Sequence, residues 1–372
     1  MTLTEWPTGL AEPVRFTSDM EIIRDDEFET IAELVSTLRR VMETAEADEG
    51  RARRAVHARC QGLVRGELAV IENLHPRLLQ GLFAEPRVYP VLLRFSTNPG
   101  DRFDLGASVP RGVALKVLGV DGERLPGADP SPTQDFVMAD SPAFSASDAR
   151  TFLKSLKLLT ATTDEPQVLK KAASAALRGV EALIEAIGGS SATLALLDSR
   201  RAAHVLASTF FSQAPLLFGP YVAKLQLAPV GPELASLRHE AIEHRGRPDA
   251  LREAVADFFE SQSATFELRA QLLTDRATMP VEDASVIWPE ARSPHLPLAR
   301  ITVPPQPVWD AARAEGADES LSFSPWQGLA AHRPLGSIMR ARRPAYDMSA
   351  SFRASRNGCP IHNPRSEADL PF

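Results

Sequence analysis

RRAVHARCQG, residues 53–62, places a single histidine, His57, among arginines in a short run of residues typical of β-strands. Three arginines precede His57 within six residues, and one follows it. Positive charge close to an imidazole disfavours its protonation and lowers its pKa. We therefore expect a neutral histidine on a strand, beside a local partner that needs several guanidinium groups.

Similar β-like runs surround this stretch from about residue 51 to residue 140. They include GELAVIE, VYPVLLRFSTN, RGVALKVLG and TQDFVMAD, separated by turn-forming stretches such as GVDGE and LPGADPSP. FELRAQLLT and LARITV continue the pattern after residue 266. Many short strands separated by turns predict a curved antiparallel sheet or barrel.

The region 146–265 has a helical pattern instead. Apolar residues recur three and four positions apart in ARTFLKSLKLLT, QVLKKAASAALRGVEALIEAIGG and DALREAVADFFESQ. Because β runs flank this region, we predict a single α+β domain over 1–372, with an antiparallel β-barrel core and a helical insertion. The predicted parts are the first half of the barrel at about 50–140, the helical insertion at 146–265, the remaining strands at 266–303, and a wrapping segment with a final helix at 304–353.

Composition narrows the classes of partner. The chain has 372 residues, 44% hydrophobic content and a formal net charge of −7, so a surface built for nucleic acid is not expected. No stretch has the apolar length of a membrane span, and the first residues lack the pattern of a secretion signal, which favours a cytoplasmic location. Cys60 and Cys359 are too few for a disulfide framework. The arginines must therefore serve something local.

A second candidate segment is MRARRPAYDMSASFR, residues 339–353. Arg342, Tyr346 and Arg353 are four and then seven residues apart, which places them on one face of a helix. Nearby cations favour the phenolate form of a tyrosine, and a helix that begins at Pro344 adds the positive end of its dipole. A phenolate is a strong ligand for ferric iron and a known axial ligand of haem. The alternative is a half-buried tyrosine beside solvated arginines, which this segment alone favours.

A bound haem would explain the arginines of both segments. Its two carboxylates suit arginine, which binds them through bidentate, charge-assisted hydrogen bonds. A neutral His57 on the opposite side of the iron accepts a proton from a bound peroxide and returns it to the leaving oxygen. The alternative for His57 is a hydrogen-bonded imidazole on a strand, and spacing alone does not exclude it.

Several motifs, in the same order along the chain, resemble the haem catalases. RRAVHARCQG is similar to their distal-histidine segment, and LLRFSTNPGD (92–101) and VPRGVALKV (109–117) to the next two core strands. QDFVMADSPAFSASDARTF (134–152), IWPEARSPHLPLARITV (287–303) and the stretch 323–353 match later parts of the family. FSQAPLLFGPYVAKL and TMPVEDASVIWPE are typical of its small, catalase-related, peroxidase-like branch. The resemblance implies a catalase-like haem fold and heme b as the cofactor.

On the distal side, the resemblance implies that His57 is the catalytic histidine and that Val56 lies beside it in the haem pocket. It also implies that Arg54 and Arg94 bind haem propionates and that Ser96 orients the imidazole. Strand alternation places Arg94 and Ser96 on one face, as this assignment requires.

On the other side of the pocket, the resemblance implies that Tyr346 is the iron ligand. Arg342 and Arg353 are then cation partners of the phenolate and of haem. Phe144 and Phe152 fall on the two phenyl rings of the pocket. The distal asparagine of catalases falls on Ala139 here, with Asp140 next to it. Asp140 is a candidate substitute for the missing amide, and its alternative role is to cap the following turn.

These observations predict a haem-dependent hydroperoxidase that reduces hydrogen peroxide or organic hydroperoxides with an external small-molecule donor. Without the distal amide, catalase activity is expected to be weak at most. One alternative is a fatty-acid hydroperoxide isomerase or lyase, although related allene oxide synthases have threonine where Val56 stands here. Another is a haem-binding protein without catalysis. The predicted partners are the peroxide and the reductant, and a homodimer is a candidate assembly.

Overall fold

The computed structural model describes residues 6–97, 110–161, 204–240, 249–308 and 319–370, together with positions 242 and 247. The strands of these residues are β1 (Arg59–Val70), β2 (Val88–Thr97), β3 (Arg111–Leu118), β4 (Thr133–Ala139), β5 (Phe210–Phe211), β6 (Leu216–Phe218), β7 (Tyr221–Pro229), β8 (Ala264–Leu272) and β9 (Leu296–Val303). Their α-helices are α1 (Glu27–Glu49), α2 (Ala149–Ala161), α3 (Pro232–Ser236), α4 (Ala250–Ser261) and α5 (Ser337–Asn357).

The strands form one antiparallel sheet that closes on itself. Their order is β5, β4, β3, β2, β1, β9, β8, β7, β6, and β5 pairs with both β4 and β7. Within the described residues, eight strands thus close into a barrel, while β6 pairs with β7 outside the ring. The predicted α+β fold with an antiparallel barrel core is confirmed.

Strand β2 shows how the barrel separates its apolar interior from the face that carries the site. Leu93 and Phe95 are fully buried in the main hydrophobic core. Leu92 packs in a different cluster on the other face of the strand. Because side chains alternate along a strand, Arg94 and Ser96 lie on the same outer face as Leu92. The predicted common face of Arg94 and Ser96 is therefore present.

Helices α1, α2 and α5 pack against one another. Met42 of α1, Phe352 of α5 and Ala52, in the segment between α1 and β1, form one buried cluster. The Asn357 side chain donates to the Ala52 carbonyl at 2.9 Å and accepts from the Ala52 N–H at 3.1 Å. The segment that leads to His57 is thereby fixed to the end of α5. Among the helices of the described residues, none combines the length and apolar character needed to cross a membrane.

Two predictions of local structure are wrong. Strand β1 begins at Arg59, so His57 lies in a bend before the strand and not within it. The region 146–265 is helical in α2 and α4, but it also contains β5, β6 and the barrel strand β7. Short apolar runs such as those around Lys224 fit either structure, and the pairing of β7 with β8 decides between them. The helical run QVLKKAASAALRGVEALIEAIGG lies outside the described residues.

Candidate functional site

The backbone at His57 has an unusual conformation. Its φ angle is +49°, in the left-handed region that costs a residue with a side chain about 1–2 kcal/mol. A β-bulge follows immediately, because the register of β1 against β2 shifts between Cys60 and Gly62. Bulges are common next to active sites, where they redirect side chains. The chain therefore turns sharply just before it enters the barrel, with the histidine at the turn.

Arg94 of β2 holds this turn in place. Its Nη1 donates to the His57 carbonyl at 3.0 Å, and its Nη2 donates towards the Ala58 carbonyl at 3.4 Å. The Arg94 side chain is buried, with 3% of the residue exposed. One guanidinium thus spans two consecutive carbonyls at the strained position.

The imidazole of His57 lies against Gly112 of β3. A Cβ atom at Gly112 would lie 2.7 Å from His57 Nδ1 and 2.8 Å from Cε1, closer than side-chain contacts allow. Glycine is therefore required for the ring to approach the strand this closely. Because the Nδ1 edge faces Gly112, Nε2 is the ring nitrogen farther from the strand.

A row of small residues crosses three strands beside the imidazole. Ser96 pairs with Gly112, and Gly112 pairs with Ala139. Ser96 Oγ donates to the Gly112 carbonyl at 3.3 Å, so it acts on the strand beneath the imidazole. Paired residues of an antiparallel sheet direct their side chains to the same face. Ala139 therefore lies on the same face of the sheet as the His57 imidazole. The pairing of β3 with β4 has no register shift that would put Asp140 there instead.

Asp140 follows the last residue of β4 and holds the beginning of β3. Its Oδ1 accepts the Arg111 N–H at 3.2 Å, and its own N–H donates to the Arg111 carbonyl at 3.0 Å. These bonds give Asp140 a structural role at the beginning of β3. Its catalytic role and its role as a turn cap stay predictions.

Burial and charge keep the His57 imidazole neutral. Desolvation, followed by the positive charges of Arg94 and Arg342, lowers the pKa of His57 to about 4. The lowered pKa predicted from the arginine-rich segment is confirmed, although the arginines responsible come from β2 and α5 rather than from that segment. Arg342 of α5 is thus near enough to His57 for its charge to help lower this pKa.

On helix α5, Arg342 and Tyr346 form the predicted pair. Arg342 Nη2 donates to the Tyr346 hydroxyl oxygen at 2.8 Å, and the guanidinium lies 5.3 Å from the centre of the phenol ring. The helix begins at Ser337 and contains Pro344 in its interior. The predicted helix start at Pro344 is wrong, so the helix dipole does not act on Tyr346. The cation beside the Tyr346 oxygen is therefore Arg342, one turn earlier on the same helix.

The remaining predicted haem arginines meet at the segment before α5. Arg54 Nη2 donates to the Leu321 carbonyl at 3.0 Å, and Arg353 Nη1 donates to the Glu319 carbonyl at 2.8 Å. Arg353 is 5% exposed. The two arginines, from opposite ends of the chain, thus lie side by side along one short stretch of backbone.

Glu319 gathers two further arginines at the same place. Its carboxylate forms ion pairs with Arg51 and, at 3.8 Å, with Arg53. Glu319 itself is buried. The residues described there carry more positive than negative charge, which suits a ligand with carboxylates.

Two of the predicted pocket residues are aromatic rings that contact each other. Phe144 and Phe152 meet edge to face with ring centres 5.2 Å apart, and both pack against a buried cluster that includes Ile338 and Met339 at the start of α5. The structure thus brings the two predicted pocket phenyl rings together. Val56, also predicted in the pocket, is 42% exposed.

Haem fits the chemistry of this set of residues. A phenol oxygen that already accepts a bond from a guanidinium is suited to bind ferric iron as phenolate. The arginines around residues 319–321 suit the two propionates. A neutral imidazole, with its Nδ1 edge against Gly112, is a group that could exchange a proton with a bound peroxide. The residues present therefore agree with a haem site.

Sequence reasoning missed Gly112 and Glu319, and it did not identify Glu319 as the partner of Arg51 and Arg53. For Gly112 a signal was present, because a glycine within a strand pattern often marks a close approach of another group. For Glu319 there was no local signal, since its ion pairs join residues more than 260 positions apart along the chain.

Solved structures of catalases share the fold of this chain. A fungal catalase matches with a TM-score of 0.56 and 15% identity, over 85% of this chain and 64% of its own, so the chain spans less than two thirds of that protein. A bacterial catalase matches with a TM-score of 0.58 and 16% identity, over 96% of this chain and 67% of its own. Catalase A from Saccharomyces cerevisiae matches with a TM-score of 0.60 and 15% identity, over 97% of this chain and 71% of its own.

No protein-family model and no curated protein matches the chain. At these identities, the likeness to catalases establishes a catalase-like fold: a closed antiparallel barrel with helices packed outside it.

Proposed function

We propose that the chain is a haem-dependent hydroperoxidase that reduces hydrogen peroxide or organic hydroperoxides with an external small-molecule donor. The observation that carries the proposal is the combination of a neutral, half-buried His57, whose pKa the charge of Arg342 helps to lower, with the hydrogen bond from Arg342 to Tyr346 on α5. The catalase-like fold supports it. A histidine that remains neutral at pH 7 and a tyrosine with a guanidinium partner are the two groups that peroxide chemistry at haem needs.

Tyr346 would bind the iron through its phenolate oxygen, which Arg342 stabilises by its hydrogen bond. Arg54 and Arg353 would pair with the propionates, and Phe144, Phe152 and Val56 would contact the macrocycle. Bound heme b supplies the redox chemistry that cleaves the O–O bond. The chain's own contribution is to position the cofactor and to move a proton.

His57 is the group that moves the proton. With a pKa of about 4, its imidazole is an available base at neutral pH. Nε2, the nitrogen farther from Gly112, accepts the hydroperoxide proton and delivers it to the leaving oxygen. Ser96 supports this arrangement through the Gly112 carbonyl.

The proposal includes weak catalase activity at most. Ala139 shares the row of Ser96 and Gly112 and has no hydrogen-bonding group. A second hydrogen peroxide therefore finds no side-chain amide at this position to orient it. An external reductant is expected to complete the cycle instead.

Titration of the purified protein with ferric haem tests the cofactor assignment. We expect a one-to-one complex with the absorption spectrum of a ferric phenolate, and we expect Tyr346→Phe to lose that spectrum. Tyr221→Phe, on strand β7, is the matched control and should bind as the wild type does. Absence of stoichiometric binding, or an unchanged spectrum in Tyr346→Phe, would refute the proposal.

Replacement of the histidine tests the chemistry. His57→Ala should keep the haem but slow the peroxide-induced change of the haem absorption band by about 10²–10⁴-fold, the usual contribution of a general acid–base group. His362→Ala is the control, because that side chain is exposed. An unchanged rate in His57→Ala would exclude the proposed role.

Product analysis defines the substrate reaction. With a fatty-acid hydroperoxide and a donor, we expect the corresponding alcohol and oxidised donor. An epoxide or aldehyde formed without any donor would instead identify an isomerase or lyase. Haem binding with no reaction towards any peroxide would identify a non-catalytic haem protein.

A further inference from the structure

Arg94 has a contact that a propionate anchor does not require. Its guanidinium reaches across from β2 to the carbonyls of His57 and Ala58, at 3.0 and 3.4 Å. Both carbonyls belong to the strained turn, where φ of His57 is +49°. The arginine is almost fully buried on a strand paired on both sides, by β1 and β3. It is therefore a rigid support for a backbone that is unfavourable by itself.

The turn also needs a support from outside. His57 lies before the first residue of β1, so the barrel ladder does not restrain it. The contact with Gly112 limits how closely the imidazole approaches strand β3. Because that contact involves only the side chain, it does not fix the left-handed backbone of His57. A planar guanidinium that spans two consecutive carbonyls restrains both peptide planes at once.

We propose that Arg94 is a positioning residue for His57, which holds the left-handed turn through the His57 and Ala58 carbonyls and so places the imidazole over Gly112. This inference rests on the proposed function for its effect on peroxide chemistry. The positioning itself is a property of the chain without haem.

The haem-free protein provides the first test. Arg94→Lys keeps the positive charge but loses the two-pronged geometry. We expect the imidazole NMR signals of His57, assigned by their loss in His57→Gln, to move towards those of an exposed histidine. The signals of the other histidines should stay in place. Arg300→Lys, an exposed arginine on strand β9, is the matched control and should leave the His57 signals unchanged.

The haem-loaded protein provides the second test. We expect Arg94→Lys to change haem affinity less than about threefold, while the peroxide reaction per bound haem slows by roughly 100-fold, the effect of a misplacement of about 1 Å. An anchor for haem alone gives the opposite pattern: weaker haem binding, an unchanged rate per bound haem and unmoved His57 signals. That pattern would overturn the proposal.

If the His57 signals move but no haem binds to the wild type, the positioning role stands and the proposed function fails. If the variant does not fold, a measurement on the wild type decides. With ¹⁵N-arginine and histidine labelled at its carbonyl carbon, solid-state NMR should detect a guanidinium nitrogen within about 4 Å of a histidine carbonyl carbon, as a 3.0 Å hydrogen bond requires. Absence of that contact would overturn the proposal.

Discussion

Gly112 determines how closely the His57 imidazole lies to the barrel. A Cβ atom at Gly112 would lie only 2.7 Å from His57 Nδ1, so the position of the imidazole depends on the absence of a side chain at Gly112. Glycine is needed here for space, because its φ is not in the left-handed region. The site is therefore sensitive to a substitution that barely affects the backbone.

Gly112→Ala should move the imidazole and slow the peroxide reaction at least tenfold, while the free energy of unfolding changes by less than about 1 kcal/mol. Gly119→Ala is the informative comparison, because Gly119 has a φ of +69° and no neighbour within 4 Å. That variant should lose about 1 kcal/mol or more of stability and keep the reaction rate. Stopped-flow absorption and urea unfolding check both, and equal rates for Gly112→Ala and the wild type would contradict the role of Gly112.

At the scale of secondary-structure elements, a buried ion pair ties the outer face of the barrel to the segments that cover it. Lys116 of β3 donates to Asp135 of β4 at 2.6 Å and to Asn363 at 2.9 Å. The other Asp135 oxygen accepts the Ser324 N–H at 2.9 Å. Both charged side chains are fully buried. The pair therefore joins two strands, the segment before α5 and the residues near 363.

Asp135→Asn should destabilise the protein by about 3–5 kcal/mol, because it leaves the Lys116 ammonium buried without its counter-charge. The double variant Lys116→Met/Asp135→Asn should recover part of the lost stability, since it also removes the unpaired Lys116 charge. Urea unfolding measures both. Glu43→Gln, which breaks the exposed pair of Arg39 and Glu43, should cost less than about 1 kcal/mol. A double variant no more stable than Asp135→Asn would argue against this explanation.

For the whole molecule, histidines that desolvation keeps neutral link stability to pH. Desolvation lowers the pKa of His204 and His295, and it lowers the pKa of His57 and His332 to about 4. His332 fits the structural role expected from the sequence: its Nε2 accepts the Leu82 N–H at 3.0 Å. Each of these groups takes up a proton more easily when the chain unfolds.

The free energy of unfolding should therefore fall as the pH is lowered from about 6.5, where an unfolded histidine begins to bind protons, to about 4. His332 alone accounts for up to about 3 kcal/mol of this loss, and the loss is complete below pH 4. His332→Gln should be less stable at pH 7 but should lose less on acidification. Urea unfolding at several pH values tests this, and parallel curves for variant and wild type would contradict it.

The sequence by itself determined the barrel strands near the site and the pairing of Arg342 with Tyr346. Both follow from local geometry: side chains alternate along β2, and residues four apart meet on a helix. The sequence did not predict strand β7 or the true start of α5. Short apolar runs fit a helix or a strand equally well until tertiary contacts decide between them.

Only the tertiary structure decided how the histidine is held. His57 lies in a left-handed turn that Arg94 supports, and its imidazole contacts Gly112. Both contacts join residues 37 or more positions apart along the chain. The meeting of Arg54 and Arg353 at residues 319–321 joins opposite ends of the chain. No local pattern encodes such contacts, because they form only when the closed barrel brings its outer face against α5 and the segment before it.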